Sequence, residues 1–183
     1  LVPTSPGRAL VGLLSRRSPG FYLKKLRSFL LAQGKITSTE AKPSYGGIPL
    51  KPLTRTYSDR LVVVGSAAGQ VKPTTGGGIY YGLLGADIAA NILQRALTSN
   101  SLSAKSLANY ERGWKRKLGQ ELKVGYWARK FYELLSDSQI DRIFDIIRYN
   151  GIDKALLNAD DLSFDWHSQV VLRLIGHKAL STV

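Results

Sequence analysis

The chain has 183 residues, 44% of them apolar, and a formal net charge of +13 at pH 7. That length and apolar content allow a buried core, as one domain or a domain with a helical appendage. The absence of cysteine excludes disulfides, thiolate-held iron–sulfur clusters and a cysteine nucleophile, and the two separated imidazoles, His167 and His177, make no metal-ligand set.

The charge is uneven. Residues 1–60 carry eleven Lys and Arg against Glu40 and Asp59, and the remainder carries fifteen against eleven acids. A basic amino-terminal face attracts nucleic acid, anionic lipid or an acidic redox partner. Solvated surface, neutralised by other parts of a longer chain, accounts for it equally. Nucleic acid is the disfavoured partner, because no C-x-x-C finger and no basic–aromatic repeat accompanies the charge. No run of eighteen uncharged apolar residues exists, and Val11-Gly12-Leu13-Leu14 is too short for a secretory signal. The default expectation is a cytoplasmic protein, with peripheral contact at a membrane as the alternative. The chain opens on Leu1-Val2-Pro3 and contains no methionine, which processing or excision from a longer protein would explain.

Residues 1–17 read as irregular or edge-strand-like. Ser18-Pro19 reads as an N-cap and first turn, opening a helix to about Gln33 that stops at Gly34, with Tyr22, Leu26, Phe29, Leu30 and Gln33 along one stripe. Between Ile36 and Leu50, short Thr, Ile and Tyr runs divided by Gly46-Gly47 predict strands joined by a turn, limited by Pro49 and Pro52. Leu61-Val62-Val63-Val64 lacks polar alternation, as a strand covered on both faces does. A helix is expected from Ile79 to about Thr98, with Leu84, Ile88, Asn91 and Ile92 inward. Gly82 and Gly85 within it cost propensity but permit close approach to a neighbour.

The remaining third reads as helical. Leu107, Tyr110, Trp114, Leu118 and Leu122 form one face of a long segment from Leu102 to Leu135, continued by Tyr126, Phe131 and Leu135, with Gly113, Gly119 and Gly125 as points of bending. Aromatic core packing is the first expectation for Trp114, Tyr126, Trp127, Phe131 and Tyr132, and an apolar channel wall or membrane-facing edge the second. Ser136 or Asp137 caps the next helix, which Asn150-Gly151 ends. A short helix over Gly151–Leu157, a turn at Asp160-Asp161 and a last helix capped by Asp165 complete the chain.

The centre of the sequence carries the chemistry. After the apolar strand come Gly65-Ser66-Ala67-Ala68-Gly69, then Pro73, then Gly76-Gly77-Gly78 at the mouth of an apolar helix. Gly65 permits a sharp turn, the small residues keep the corner open, and consecutive glycine amides offer an electropositive receptor for a carbonyl or a developing negative charge. No Gly-Lys-Ser/Thr ends the loop and no Gly-x-Gly-x-x-Gly is present, so neither the Walker A loop nor the dinucleotide fingerprint applies. The same glycines also suit a purely structural strand–helix crossing.

This order resembles the second flavin-contact motif of FAD-dependent oxidoreductases related to the aromatic hydroxylases, and most of all the geranylgeranyl reductase branch. The resemblance centres on Arg60 through Ile92, extends upstream through Tyr45-Gly46-Gly47-Ile48-Pro49-Leu50, and fits the carboxy-terminal half of such a protein. It implies that Gly65, Ser66, Ala67, Ala68 and Gly69 approach the ribityl–pyrophosphate part of FAD and that Pro73, Gly76, Gly77 and Gly78 face the flavin ring. The family commonly has aspartate where Ser66 stands, and serine still accepts a hydrogen bond. The amino-terminal Gly-x-Gly-x-x-Gly unit that grips the ADP portion is missing, so FAD is expected to be held in the intact parent, alongside that amino-terminal FAD-binding portion, and incompletely by these residues alone.

The implied activity is reduction of carbon–carbon double bonds in a geranylgeranyl or related isoprenoid chain of a lipid substrate, with the reductant unknown. Tyr45, Ile48, Tyr80 and Tyr81 are expected to line the substrate side. Lys72 faces the cofactor, the substrate or solvent, and no catalytic residue or metal ligand is assigned. A related electron-transfer flavoprotein dehydrogenase, or a non-catalytic basic binding or assembly domain, are the alternatives. The expected fold is an α/β or α+β fragment. Residues 1–55 form part of a substrate-domain sheet, 56–99 the carboxy-terminal strand–turn–helix of an FAD-binding domain, and 100–183 a largely helical region.

Overall fold

The structure, a computed structural model, describes residues 1–158, 163 and 165–176, with side chains as far as Leu172. The expected turn at Asp160-Asp161 and His177 lie outside the described residues. The chain is a mostly helical α+β arrangement with two small antiparallel sheets, and it divides into two compact units, Leu1–Gly46 and Gly47 onward.

In the first unit, β1 (Val2–Ser5) and β2 (Arg8–Leu10) form an antiparallel hairpin around Gly7, which adopts φ +72°. Helix α1 (Pro19–Ala32) starts as expected at Pro19, but Ser18 is left-handed and makes no side-chain cap. Its end is a Schellman stop: Gly34 sits at φ +63°, its amide donates to Leu31, and the Lys35 amide donates to Leu30. The inward face runs through Leu23, Leu26, Arg27 and Leu30, while Tyr22 and Phe29 are exposed. The strands expected between Ile36 and Leu50 do not form. This proline-punctuated stretch is almost wholly exposed and has no ladder partner among the described residues.

In the second unit, β3 (Tyr57–Ser58) pairs antiparallel with β4 (Leu61–Val62), and the Val63 amide extends the ladder to the Thr56 carbonyl at 2.8 Å. The expected strand over Leu61–Val64 is therefore short and pairs along one edge, with Val62, Val63 and Val64 half-buried rather than covered on both faces. A 3-10 turn over Gly65–Ala68 follows, then the glycine-rich loop and α2 (Ile79–Thr98). Helix α2 ends in a second Schellman stop, with Asn100 left-handed and the Asn100 and Ser101 amides bound to the Leu97 and Ala96 carbonyls.

Helix α3 (Ala104–Tyr132) is capped by Ser103, whose hydroxyl accepts from the Ser106 amide, and by Asp59 of the β3–β4 turn, which accepts from the Ala104 amide at 2.6 Å. It runs unbroken through Gly113, Gly119 and Gly125. The periodic face Leu107, Tyr110, Trp114, Leu118 and Leu122 is buried as expected and meets Tyr81 and Ala89 of α2 in one core. Asn91, expected inward, is exposed and donates to the Asp87 carbonyl one turn back. Beyond Gly125 the pattern turns outward, and Trp127, Phe131 and Tyr132 are exposed rather than in the core.

The capping box of α4 (Asp137–Tyr149), from Ser136 and Gln139, is complete, and Asn150-Gly151 ends the helix before α5 (Ile152–Leu157). Helix α6 (Ser168–Gly176) packs against α3. Its expected cap, Asp165, is engaged elsewhere. Glu121 of α3 instead accepts the amides of His167 at 3.0 Å and Ser168 at 2.9 Å, together with the Ser168 hydroxyl.

Candidate functional site

The turn is built around three close approaches that only glycine permits. A Cβ on Gly69, which has φ +73°, would stand 2.7 Å from Pro52 Cα. One on Gly78 would stand 2.8 Å from Val71 Cγ1, and one on Gly85 of α2 would run into the Gln70 carboxamide. Gly82 lies against Gly65 with nothing but backbone between them. The cost of two glycines in α2 is therefore offset by contact between helix and turn.

Gln70, fully buried, holds the first half of the turn. Its Oε1 accepts the Gly65 amide at 2.8 Å, its Nε2 donates to Tyr110 Oη at 2.9 Å, and that hydroxyl donates to the Val63 carbonyl at 3.0 Å. Burial raises the Tyr110 phenol above its ordinary value against the lowering effect of the Gln70 hydrogen bond. The sequence carried one signal for Gln70, a carboxamide between Gly69 and Val71 in an otherwise apolar corner.

The second half is clamped from the carboxy-terminal side. Lys72 Nζ pairs with Asp165 at 2.5 Å, which places it within the fold rather than in solvent. Thr74 Oγ1 shares a hydrogen bond with His167 Nδ1 at 2.8 Å, and Arg129 of α3 donates to the Pro73 carbonyl at 3.1 Å. Tyr81 is 2% exposed and donates to the Asp165 carbonyl at 2.7 Å. Burial, followed by the Glu121 and Asp165 carboxylates, pushes its phenol well above the ordinary range. Trp166 lies across Tyr80 and Tyr81, 6.2 Å from each ring. Sequence reasoning missed Gln70, Arg129, Asp165 and Trp166 as supports, because their partners lie 5 to 93 residues away.

The nine expected contact residues divide by exposure. Ser66, Ala67 and Gly77 are open to solvent, Gly65, Gly76 and Gly78 are half-buried, and Ala68, Gly69 and Pro73 are buried. Two of the triple-glycine amides turn into the loop: Gly76 donates to the Lys72 carbonyl at 2.8 Å and Gly77 to Thr75 Oγ1 at 3.3 Å. The positive pole lies one step further on. Gly78 is the N-cap of α2 without a side-chain cap, and the first intrahelical bond is Gly82 to Gly78 at 2.7 Å, leaving the amides of Ile79, Tyr80 and Tyr81 without an intrahelical acceptor. This donor set fits a carbonyl-bearing or anionic group. Of the expected lining residues, Tyr80 and Ile48 are exposed, Tyr81 is buried behind Tyr80, and Tyr45 belongs to the first unit, where its hydroxyl lies against Gly20.

No protein-family model matches the chain. It is similar to digeranylgeranylglycerophospholipid reductase 2 of Methanothermobacter thermautotrophicus, with 35% identity over 148 residues, covering 77% of this chain and 37% of that protein. It is also similar to the digeranylgeranylglycerophospholipid reductase of Methanocaldococcus jannaschii, with 36% identity over 152 residues, covering 79% of this chain and 39% of that protein. Its fold matches the crystal structure of a geranylgeranyl bacteriochlorophyll reductase-like protein from Thermoplasma acidophilum, with a TM-score of 0.67 at 21% identity over 89% of this chain and 40% of that one. The chain thus spans less than half the length of the curated relatives it matches. Identity of 35–36% over more than three quarters of its own residues makes the chain a homologue of the digeranylgeranylglycerophospholipid reductases, matching part of their length.

Proposed function

We propose that the chain is part of an FAD-dependent oxidoreductase that reduces carbon–carbon double bonds of geranylgeranyl or related isoprenoid chains carried on a lipid. The observation that carries the reading is a turn fixed from both sides yet uncovered on its outer surface, set before the uncapped amino-terminus of α2. Relatives bearing a reductase name are 35–36% identical to the chain over more than three quarters of its residues.

Flavin, when bound, supplies the hydride equivalent for saturating an isolated double bond. The residues present do the holding. Ser66, Ala67 and Gly77 offer backbone and hydroxyl surface that no side chain obstructs. The α2 amides direct their positive pole at the same place, where negative charge is stabilised. Gly65, Ala68, Gly69, Pro73, Gly76 and Gly78 shape that surface by close packing. Because the clamps exist within this chain, the turn is preorganised and binding has little loop ordering to overcome. Ile48 and Tyr80 are assigned to the substrate side. Tyr81, buried and bonded to the Asp165 carbonyl, positions Tyr80 and Trp166.

The test is purification of the full-length protein, visible spectroscopy and identification of the released cofactor, followed by reduction and addition of a digeranylgeranyl glycerophospholipid. Bound FAD that bleaches on reduction, with a gain of two hydrogens per double bond in the lipid, supports the proposal. A colourless protein that releases no flavin overturns it. Flavin that cycles without saturating the lipid transfers the assignment to the electron-transfer dehydrogenases.

A further inference from the structure

Away from the glycine turn, α2 and the first half of α3 enclose an open groove of about 790 Å³. Its walls carry Arg95 from α2 and Arg112, Arg116 and Lys117 from α3, and no carboxylate lines it. Three of these cations stand at i, i+4 and i+5 on one helix, where like charges repel. Arg112 donates to Asn109 at 2.8 Å, and no salt bridge among the described residues engages Arg95, Arg116 or Lys117.

The groove exists because two elements are held in place. Gly113 brings α3 against α2, since a Cβ there would stand 2.8 Å from Ile88 Cγ2. The left-handed Asn100 then folds Ser99 and Ser101 back along the end wall. The Asn100 and Ser101 amides and the Ser99 hydroxyl consume the last-turn carbonyls of α2, at Leu97, Ala96 and Arg95, which removes much of the negative pole that would otherwise face the cations. Ser101 and Ser106 share a hydroxyl pair at 2.6 Å on the same wall.

We propose that this groove binds a phosphate group. Planar guanidinium groups lining one groove from two helices suit phosphate oxygens, which arginine pairs with in a two-point geometry. The bound anion relieves the repulsion among the four cations. This inference does not rest on the flavin reading, because none of the groove residues belongs to the glycine turn.

The phosphate has two sources, free in solution or on a lipid headgroup, and one set of measurements separates them. The full chain is titrated with inorganic phosphate by calorimetry, and its partition to phosphatidylglycerol vesicles is compared with that to phosphatidylcholine vesicles. The same is done with Arg95→Gln/Arg116→Gln and with Lys24→Gln/Lys25→Gln as a charge-matched control. The expected result is saturable binding, weakened at least tenfold in the groove variant and unchanged within twofold in the control. Phosphate binding with this pattern assigns a soluble ligand; vesicle binding with this pattern and no phosphate binding assigns a headgroup. No binding of either kind, or equal loss in the two double variants, overturns the proposal. Both arginines are exposed, so helicity by circular dichroism should be unchanged. Should the double variant lose helicity, Lys117→Gln alone gives the same reading.

Discussion

Gln70 and Tyr110, both without solvent exposure, hydrogen-bond to each other at 2.9 Å across forty residues, and this contact ties the glycine-rich turn to α3. The Gly65 amide on one side and the Val63 carbonyl on the other complete a four-member chain. Removing a member leaves a buried polar group without a partner, which costs about 1–3 kcal/mol. Gln70→Leu is therefore expected to lower stability by about 2 kcal/mol, measured by urea denaturation, and to weaken cofactor retention in the full-length protein. Tyr110→Phe keeps the packing and should fall within the same range. No measurable change in either variant would show that the chain of bonds carries no weight.

Glu121 holds α6 from a distance of 47 residues. Its carboxylate accepts two amides and a hydroxyl, and bonds to a charged acceptor are worth about 1.5–3 kcal/mol. Glu121→Gln should accordingly raise amide hydrogen exchange over Ser168–Val171 while leaving α3 protected near Trp114. Uniform loss of protection through both helices would mean that Glu121 supports the whole core rather than the docking of α6.

Acid sensitivity is expected at Glu111. Burial alone would raise its carboxyl, but the hydrogen bonds from Lys115 and from the Thr56 amide and hydroxyl outweigh it and hold the group below its ordinary value of 4.5. A depressed folded-state value contributes stability that is fully present above the unfolded value and is lost as pH falls through the folded one. Urea midpoints should thus decline below pH about 4.5, and Glu111→Gln should flatten that decline. An identical slope in the variant would move the acid sensitivity to other carboxylates.

The triple glycine separates packing from binding. Gly78→Ala places a methyl 2.8 Å from Val71 Cγ1 and should destabilise by about 1–3 kcal/mol. Gly77 is exposed, and its nearest neighbour would stand 3.4 Å from an added Cβ, so Gly77→Ala should stay within about 0.5 kcal/mol of the parent. In the full-length protein the same Gly77→Ala change should reduce the flavin content measured by absorbance. Full flavin loading in Gly77→Ala would remove that residue from the contact surface.

What the sequence determined alone is local. Pro19, Gly34, Ser136 and Gly151 each act on the backbone within a turn of their own position, so those helix boundaries followed from residue type. The face from Leu107 to Leu122 was equally legible, because a 3.6-residue period requires no knowledge of its partner. The glycine order, read as a motif, located the turn and pointed to the reductase relatives.

Tertiary structure decided whatever depends on the partner. The apolar run at Leu61–Val64 has the composition of a covered strand, but its coverage depends on a neighbour, and only β3 pairs with it among the described residues. Gly82 and Gly85 gained meaning from Gly65 and Gln70, and Gly113 from Ile88. Asp165 had the right position to cap α6, yet Lys72 engages it and Glu121 supplies the cap, because burial rewards whichever carboxylate the packing of α3 delivers to the free amides. Sequence spacing encodes hydrogen bonds that close over three or four residues; those that close over forty or ninety are set by the core that brings their ends together.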